Sequence, residues 1–190
     1  MRSLLQPAIV LFALLSLVTG VAYPLMVTLG ADILFPQNAS GSLLREGDRL
    51  VGSELLGQAF DAPQYFWGRP SATGPVPYNG LGGSGSNQAT TNPALLEAVR
   101  ERVAQLRDAD PGNQAPVPVD LVTASASGLD PHISPAAARY QSSRIAKERQ
   151  LSVDQVEALI HQHTEQPTFG VLGQARVHVL KLNRALDAAK

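Results

Sequence analysis

The sequence predicts one membrane-spanning helix at the N-terminus followed by one extracytoplasmic domain of α/β or α+β class. Three observations predict it. No side chain between Arg2 and Asp32 is charged, and 17 of the 22 residues from Ala8 to Leu29 are apolar. A helix of about 20 such residues crosses the hydrocarbon core of a bilayer and pairs its own backbone groups on the way. Everything after Asp32 has ordinary soluble composition. Within that part, short strand-like runs alternate with capped amphipathic helix patterns and no repeat. The expected division is a short cytoplasmic N-terminus over residues 1–6, a span over 7–31 and a soluble domain over 32–190.

The span carries Ile9, Leu11, Leu14, Leu17, Val21 and Leu25 as its lipid-facing anchors. Pro24 is expected to kink it. Ser16, Thr19 and Gly20 are small enough to let another helix approach. The rival reading is a cleaved signal peptide, since Gly20-Val21-Ala22 is a small-x-small pattern. The apolar run continues past it through Leu25, Met26, Val27 and Leu29, longer than a signal h-region. Orientation follows the positive charge. Arg2 and the α-amine lie on one side, whereas the other side begins with Asp32 and has no cation before Arg45. That bias places the N-terminus inside and the domain outside.

The domain elements follow in order. Ser42-Leu43-Leu44 and Leu50-Val51-Gly52-Ser53 flank the polar turn Arg45-Glu46-Gly47-Asp48 and read as a hairpin. Tyr65-Phe66-Trp67 suits a strand by aromatic content, and Pro70 holds Arg69 extended. Residues 71–92, rich in Gly and Pro, form a long irregular stretch, expected to be mobile or ordered by a partner. Asn92-Pro93 starts a helix with apolar positions at Leu95, Leu96, Val99, Val103 and Leu106. Val119 to Thr123 reads as a buried strand. Ser134-Pro135 opens a helix to about Glu148. Ser152 and Gln155 form a capping box for the next. Val177-His178-Val179 alternates like a strand, and Leu182, Ala185 and Leu186 suit a closing helix.

Composition excludes several functions. The net charge of −1 leaves no basic footprint for nucleic acid. Without cysteine there is no disulfide, so the domain is held by its own core. No lysine follows a glycine, which rules out a Walker A loop. Gly80, Gly82 and Gly85 match the dinucleotide pattern in letters, but Pro75 and Pro77 precede them and the helix opens seven residues later. With Arg69 upstream they are the nearest nucleotide-binding candidates. His161 and His163 point to different faces of a helix. His132 and His178 have no Asp, Glu or His at ligand spacing, so no metal site is expected. Ser125, Asp130 and His178 make a hydrolase only on paper, with no Gly-x-Ser-x-Gly elbow around Ser125 or Ser127. The residues therefore predict no catalytic group. A membrane-anchored serine hydrolase and a ligand-binding module using the glycine-rich loop are the alternatives.

Linked motifs carry a resemblance. They are Gly20-Val21-Ala22-Tyr23-Pro24-Leu25, Gly41-Ser42-Leu43-Leu44-Arg45-Glu46-Gly47-Asp48, Gly52-Ser53-Glu54-Leu55-Leu56-Gly57-Gln58-Ala59-Phe60, Tyr65-Phe66-Trp67-Gly68-Arg69-Pro70, Pro77-Tyr78-Asn79, the long run from Val117 to Asp130, and Leu182-Asn183-Arg184-Ala185-Leu186-Asp187. Over nearly the whole chain the sequence resembles the C subunits of bacterial Kdp potassium-transporting ATPases. The resemblance implies a non-catalytic accessory subunit of an inner-membrane potassium uptake complex. Its partners would be a channel-like potassium-binding subunit, a P-type ATPase subunit and a small single-span subunit, with membrane lipid around the span. It also implies roles in assembly and as a catalytic chaperone that raises the ATP affinity of the pump subunit. ATP would then be reached through the complex, with no cofactor held by this chain. Arg69, Ser125, Ser127 and Asp130 are the expected partner-facing residues.

Overall fold

The structure is a computed structural model and describes residues 2–189. Met1 and Lys190, the outer ends of the expected cytoplasmic stub and soluble domain, lie outside the described residues. The chain forms two compact units, Met1–Val51 and Gly52–Lys190.

The first unit is dominated by a continuous helical rod. Helix α1, Arg2–Leu17, passes through a wide π-helical turn, Val18–Ala22, into α2, Tyr23–Leu34. Leu4–Leu34 is long and apolar enough to cross a membrane. The wide turn has a cause in sequence. Pro24 has no N–H to give and its ring would press on the carbonyl of Gly20. Tyr23 N–H instead reaches back to Val18 O, and Thr19 Oγ1 donates to Leu15 O at 2.7 Å. The expected disturbance at Pro24 is thus taken up by one extra residue in the turn before it. Phe35-Pro36 stops α2, and a single helical turn, α3, Pro36–Ala39, leads to strands β1, Leu43–Glu46, and β2, Arg49–Ser53. These pair as the expected hairpin, and Gly47 takes the positive φ of its turn.

The second unit mixes helices with a small antiparallel sheet. Helix α4 spans Pro93–Ala109, and Asn92 Oδ1 caps it by accepting from Ala94 N at 2.9 Å. Strand β3, His132–Ile133, precedes α5, Pro135–Tyr140, and α6, Ser142–Arg149. The capping box at Ser152 and Gln155 opens α7, Val153–Gln162. Strands β4, Thr164–Glu165, and β5, Arg176–His178, lead into α8, Val179–Ala188. The sheet order is β3-β5-β4, with His132 opposite His178 and Ile133 opposite Val177. Ile133, Ile145, Val156, Ile160, Val177, Leu182 and Leu186 fill the core with Phe66.

Three local expectations are corrected. Val119–Leu121 is a short 3-10 turn instead of a strand. Asp120 there accepts from Ser134 N at 2.7 Å and Ser134 Oγ at 3.2 Å, while Leu121 and Val122 are buried. The helix expected from Pro135 to Glu148 breaks at Gln141. The aromatic segment is not a strand. Phe66 N donates to Asn183 Oδ1 at 2.8 Å, and Asn183 Nδ2 donates back to Phe66 O at 3.0 Å. Gln141 repeats this one residue on, accepting from Trp67 N at 2.8 Å and donating to Trp67 O at 3.1 Å. Two carboxamides therefore supply what a neighbouring strand would have supplied. Arg144 completes the frame. Its guanidinium donates to Gln141 Oε1, Tyr65 O and Pro63 O and lies 4.3 Å from the Trp67 ring centre. Burial pulls its pKa down to about 10, so it stays charged at neutral pH.

Candidate functional site

The clamp matters because it fixes the chain just before Arg69. Pro70 follows, so Arg69 is held with its side chain turned to the loop Ala124–Pro131. Arg69 Nη1 donates to Asp130 Oδ2 and Nη2 to the Ala124 carbonyl, both at 3.3 Å. The four residues expected to face a partner, Arg69, Ser125, Ser127 and Asp130, line one open depression of about 530 Å³ together with Leu55, Leu56 and Leu129. Sequence separation hid this, since Arg69 and Asp130 are 61 residues apart.

Asp130 is the hub of the depression. Burial alone would raise its carboxyl. The hydrogen bonds from the His132 ring and His132 N, with the charges of His132 and Arg69, outweigh burial and hold it below the usual carboxylate range. It is therefore ionised at neutral pH. Its other neighbour is Tyr78, whose hydroxyl donates to the Arg69 carbonyl at 2.5 Å. Burial first, then the Asp130 charge, push Tyr78 up to about 12, so it remains a neutral donor. Tyr78 needs space that two glycines leave. A Cβ on Gly57 would collide with the Tyr78 ring and sit 2.8 Å from Asp130 O, and one on Gly68 would sit 2.7 Å from the Tyr78 hydroxyl. Behind Arg69, a second cavity of about 260 Å³ lies between Trp67, Tyr78, Arg102 and Leu121.

The first half of the long stretch after Pro70 is bridged by its own hydroxyls. Ser71 Oγ donates to Gly128 O at 2.7 Å and accepts from Tyr78 N at 2.9 Å, while Thr73 Oγ1 accepts from Asn79 N at 3.0 Å. Of the nucleotide-like pattern, Gly80 lies beside Leu56, Gly82 beside Asn79, and Gly85 against the 125–128 turn. A Cβ on Gly85 would fall 2.8 Å from Ala126 O. Two amides of this loop are engaged within it: Leu81 N donates to Asn79 Oδ1 and Gly82 N to Asn79 O, each at 3.1 Å. Arg69, the cation of that candidate set, is engaged by Asp130 and Ala124. Ser125 is buried, and Ser127 Oγ accepts from Leu129 N at 3.1 Å as a local turn.

The histidines need a correction. The sequence showed no partner for His132 or His178, yet strand register sets them opposite each other with ring centres 5.1 Å apart and nearly perpendicular. His132 Nδ1 lies 3.3 Å from Asp130 Oδ1. His178 turns one ring nitrogen to Glu54 O at 3.0 Å and the other to Lys181 N, capping α8. Burial lowers the His178 pKa, and the nearby charges of His132 and Lys181 add to the shift. With Asp130 held by Arg69 and His132, the set Ser125, Asp130 and His178 is not arranged as a relay. Among the described residues no group of three or more His, Asp or Glu side chains is placed to hold a metal ion. Tyr78, His132, Gly57 and Gly128 were not singled out by chemistry. For Tyr78 the only sequence signal is the cluster Pro77-Tyr78-Asn79.

Comparison with known proteins gives a consistent result. The family model described as KdpC, K+-transporting ATPase, c chain, matches residues 5–188. A protein named potassium-transporting ATPase KdpC subunit from Polaromonas naphthalenivorans strain CJ2 is 62% identical over 190 residues, covering 100% of this chain and 97% of the relative. Proteins of the same name from Variovorax paradoxus strain S110 and Methylococcus capsulatus strain Bath are 59% and 58% identical over 189 and 185 residues. These alignments cover 100% and 97% of this chain, and 98% and 97% of the relatives.

Proposed function

The chain belongs to the KdpC family, the c chains of K+-transporting ATPases, and from that premise we propose that it is the anchored, non-catalytic subunit that assembles and stabilises a potassium uptake complex. The observation that carries this reading is the full-length match, which includes the apolar helix as well as the second unit. The helix stays as a single-pass anchor in the inner membrane, N-terminus cytoplasmic, and the domain stands on the outer side. There it docks on the channel-like potassium-binding subunit, beside the P-type ATPase subunit and the small single-span subunit.

The docking face in this reading is the depression around Arg69, Ser125, Ser127 and Asp130. It combines a partly exposed ion pair with the apolar rim of Leu55 and Leu56, a mixture that suits a subunit interface. ATP is not contacted directly. The glycine loop follows no strand and opens no helix, and Pro93 at the start of α4 lacks an amide to donate. An effect on nucleotide affinity of the pump subunit would pass through intramembrane and assembly contacts.

The experiment is solubilisation of membranes in mild detergent, capture of the tagged full chain and identification of what co-purifies. The expected result is the three other subunits in fixed ratio, with loss of the potassium-binding subunit on Arg69→Glu. Recovery of the chain alone would overturn the assembly role. Micromolar, saturable ATP binding to residues 32–190, with cysteine labelling placing the domain in the cytoplasm, would restore a direct chaperone mechanism.

A further inference from the structure

Between Glu165 and Arg176 the sequence has ten residues without a charge, Gln166 to Ala175. The structure folds them into a protruding loop whose largest side chains point away from the core. Phe169 is 90% exposed, Val171 78% and Leu172 61%. Phe169 holds a positive φ of 55°, a conformation unusual for an aromatic residue, and Gly170 and Gly173 take positive φ beside it. Such a tip exposes apolar surface to water at a cost that folding alone does not offset.

What distinguishes this tip is its backbone. Thr168 N donates to Leu172 O at 2.9 Å and Leu172 N returns to Thr168 O at 3.0 Å. Gly170 N donates to Pro167 O at 2.9 Å and Val171 N to Thr168 O at 3.3 Å. Four of the tip's amides are thus satisfied inside the loop. A segment with much of its backbone paired internally and no charge enters the bilayer interface at a smaller desolvation cost than an ordinary loop. A protein partner would instead be expected to meet unpaired polar groups at such a loop, because interfaces carry regular direct hydrogen bonds.

We propose that the Phe169–Leu172 tip inserts into the outer interface of the lipid bilayer as a second, reversible membrane contact. This rests on the reading of the N-terminal helix as a retained anchor. The span ends at Leu34 and the second unit starts at Gly52. The residues between them reach no more than about 60 Å when fully extended, so the anchor raises the effective concentration of any membrane contact the second unit can make. Three apolar side chains then suffice for a contact that would be too weak for a free domain. The occupant is lipid of zwitterionic character, because the cation at the base of the loop, Arg176, is paired with Glu165 at 2.9 Å.

The test uses the full chain in phosphatidylcholine vesicles. Flotation with the vesicles after alkaline washing reads the anchor by itself. Phe169→Trp reads the tip, with Val119→Trp as a control at another exposed apolar position and the emission of Trp67 subtracted from both. The expected result is a blue-shifted emission from the Phe169→Trp chain, quenched severalfold more by lipids carrying a nitroxide near the headgroup than the Val119→Trp control. Equal quenching in the two variants, or water-like emission from the Phe169→Trp chain in vesicles with which it does float, overturns insertion while leaving the anchor intact. A blue shift that appears only when the other subunits are added also overturns it and assigns the tip to a protein partner. Failure to float sinks the anchor reading instead. A Phe169→Asp chain that folds normally but reports the same domain mobility in vesicles as the parent would count against the contact as well.

Discussion

Replacing Asn183 by Leu tests the carboxamide clamp directly. Asn183 is 1% exposed and is the partner of both backbone groups of Phe66, which is itself fully buried. Leucine fills a similar volume but neither accepts nor donates. The substitution leaves one amide and one carbonyl buried without partners, each costing about 1–3 kcal/mol. The expected loss is roughly 4 kcal/mol, a large share of a typical stability of about 5–15 kcal/mol. With a urea slope of about 1–3 kcal/mol per molar, the midpoint should fall by about 2 M. The assay is urea unfolding of the full chain in mild detergent, followed by Trp67 fluorescence, since Trp67 sits on the next residue of the clamped segment. A midpoint shift below about 0.5 M at unchanged slope would refute the reasoning. It would mean that Phe66 finds other partners and that the clamp does not hold Arg69 in place.

Asp130→Asn should cost about 1 kcal/mol near neutral pH, the scale of a partly exposed ion pair. Because the folded-state carboxyl lies below its unfolded value, the wild-type advantage is present above about pH 4 and vanishes as pH falls through the folded value. Unfolding curves of both chains at several acid pH values check this. His178 has a folded pKa below its unfolded value of about 6.5, so wild-type stability should decline as pH falls below that point. His178→Asn keeps a side chain able to cap α8 and should flatten the slope between about pH 7 and 5 in the same assay. Gly128→Ala places a Cβ 2.5 Å from Ser84 O at a φ of +67°, and should lower stability by roughly 1–3 kcal/mol, read as a thermal midpoint shift. N-terminal sequencing of the mature protein should begin before Pro7, whereas a sequence starting at Tyr23 would identify a cleaved signal.

What was legible in the sequence was local. Asn92, Ser134 and Ser152 announce their helices because a cap needs only the next three residues. The hairpin at Gly47 and the apolar helix are readable for the same reason. Phe66 looked like a strand residue because its aromatic neighbours have β propensity. Its hydrogen-bond partner lies 117 residues away on α8, beyond any local signal. Likewise His132 meets His178 only through strand register, and Asp130 meets Arg69 only after the clamp has set the extended chain. The four partner-facing candidates were legible as residue types in distinctive motifs. That they share one depression was not, because the geometry comes from Asn183, Gln141, Tyr78 and Gly57, none of which carries chemistry of its own.

The wide turn at Val18–Ala22 bears on how the apolar helix can meet neighbours. One inserted residue advances the helical phase by about 100°. A stripe counted at helical spacing from Ile9 therefore does not continue in phase beyond the wide turn. The two halves of the rod present differently aimed faces, so a neighbour that follows one half leaves the other half free to meet something else. Mutational scanning of such a helix should show two periodic patterns out of phase, with the break at Thr19 and Gly20, in place of one stripe along its length.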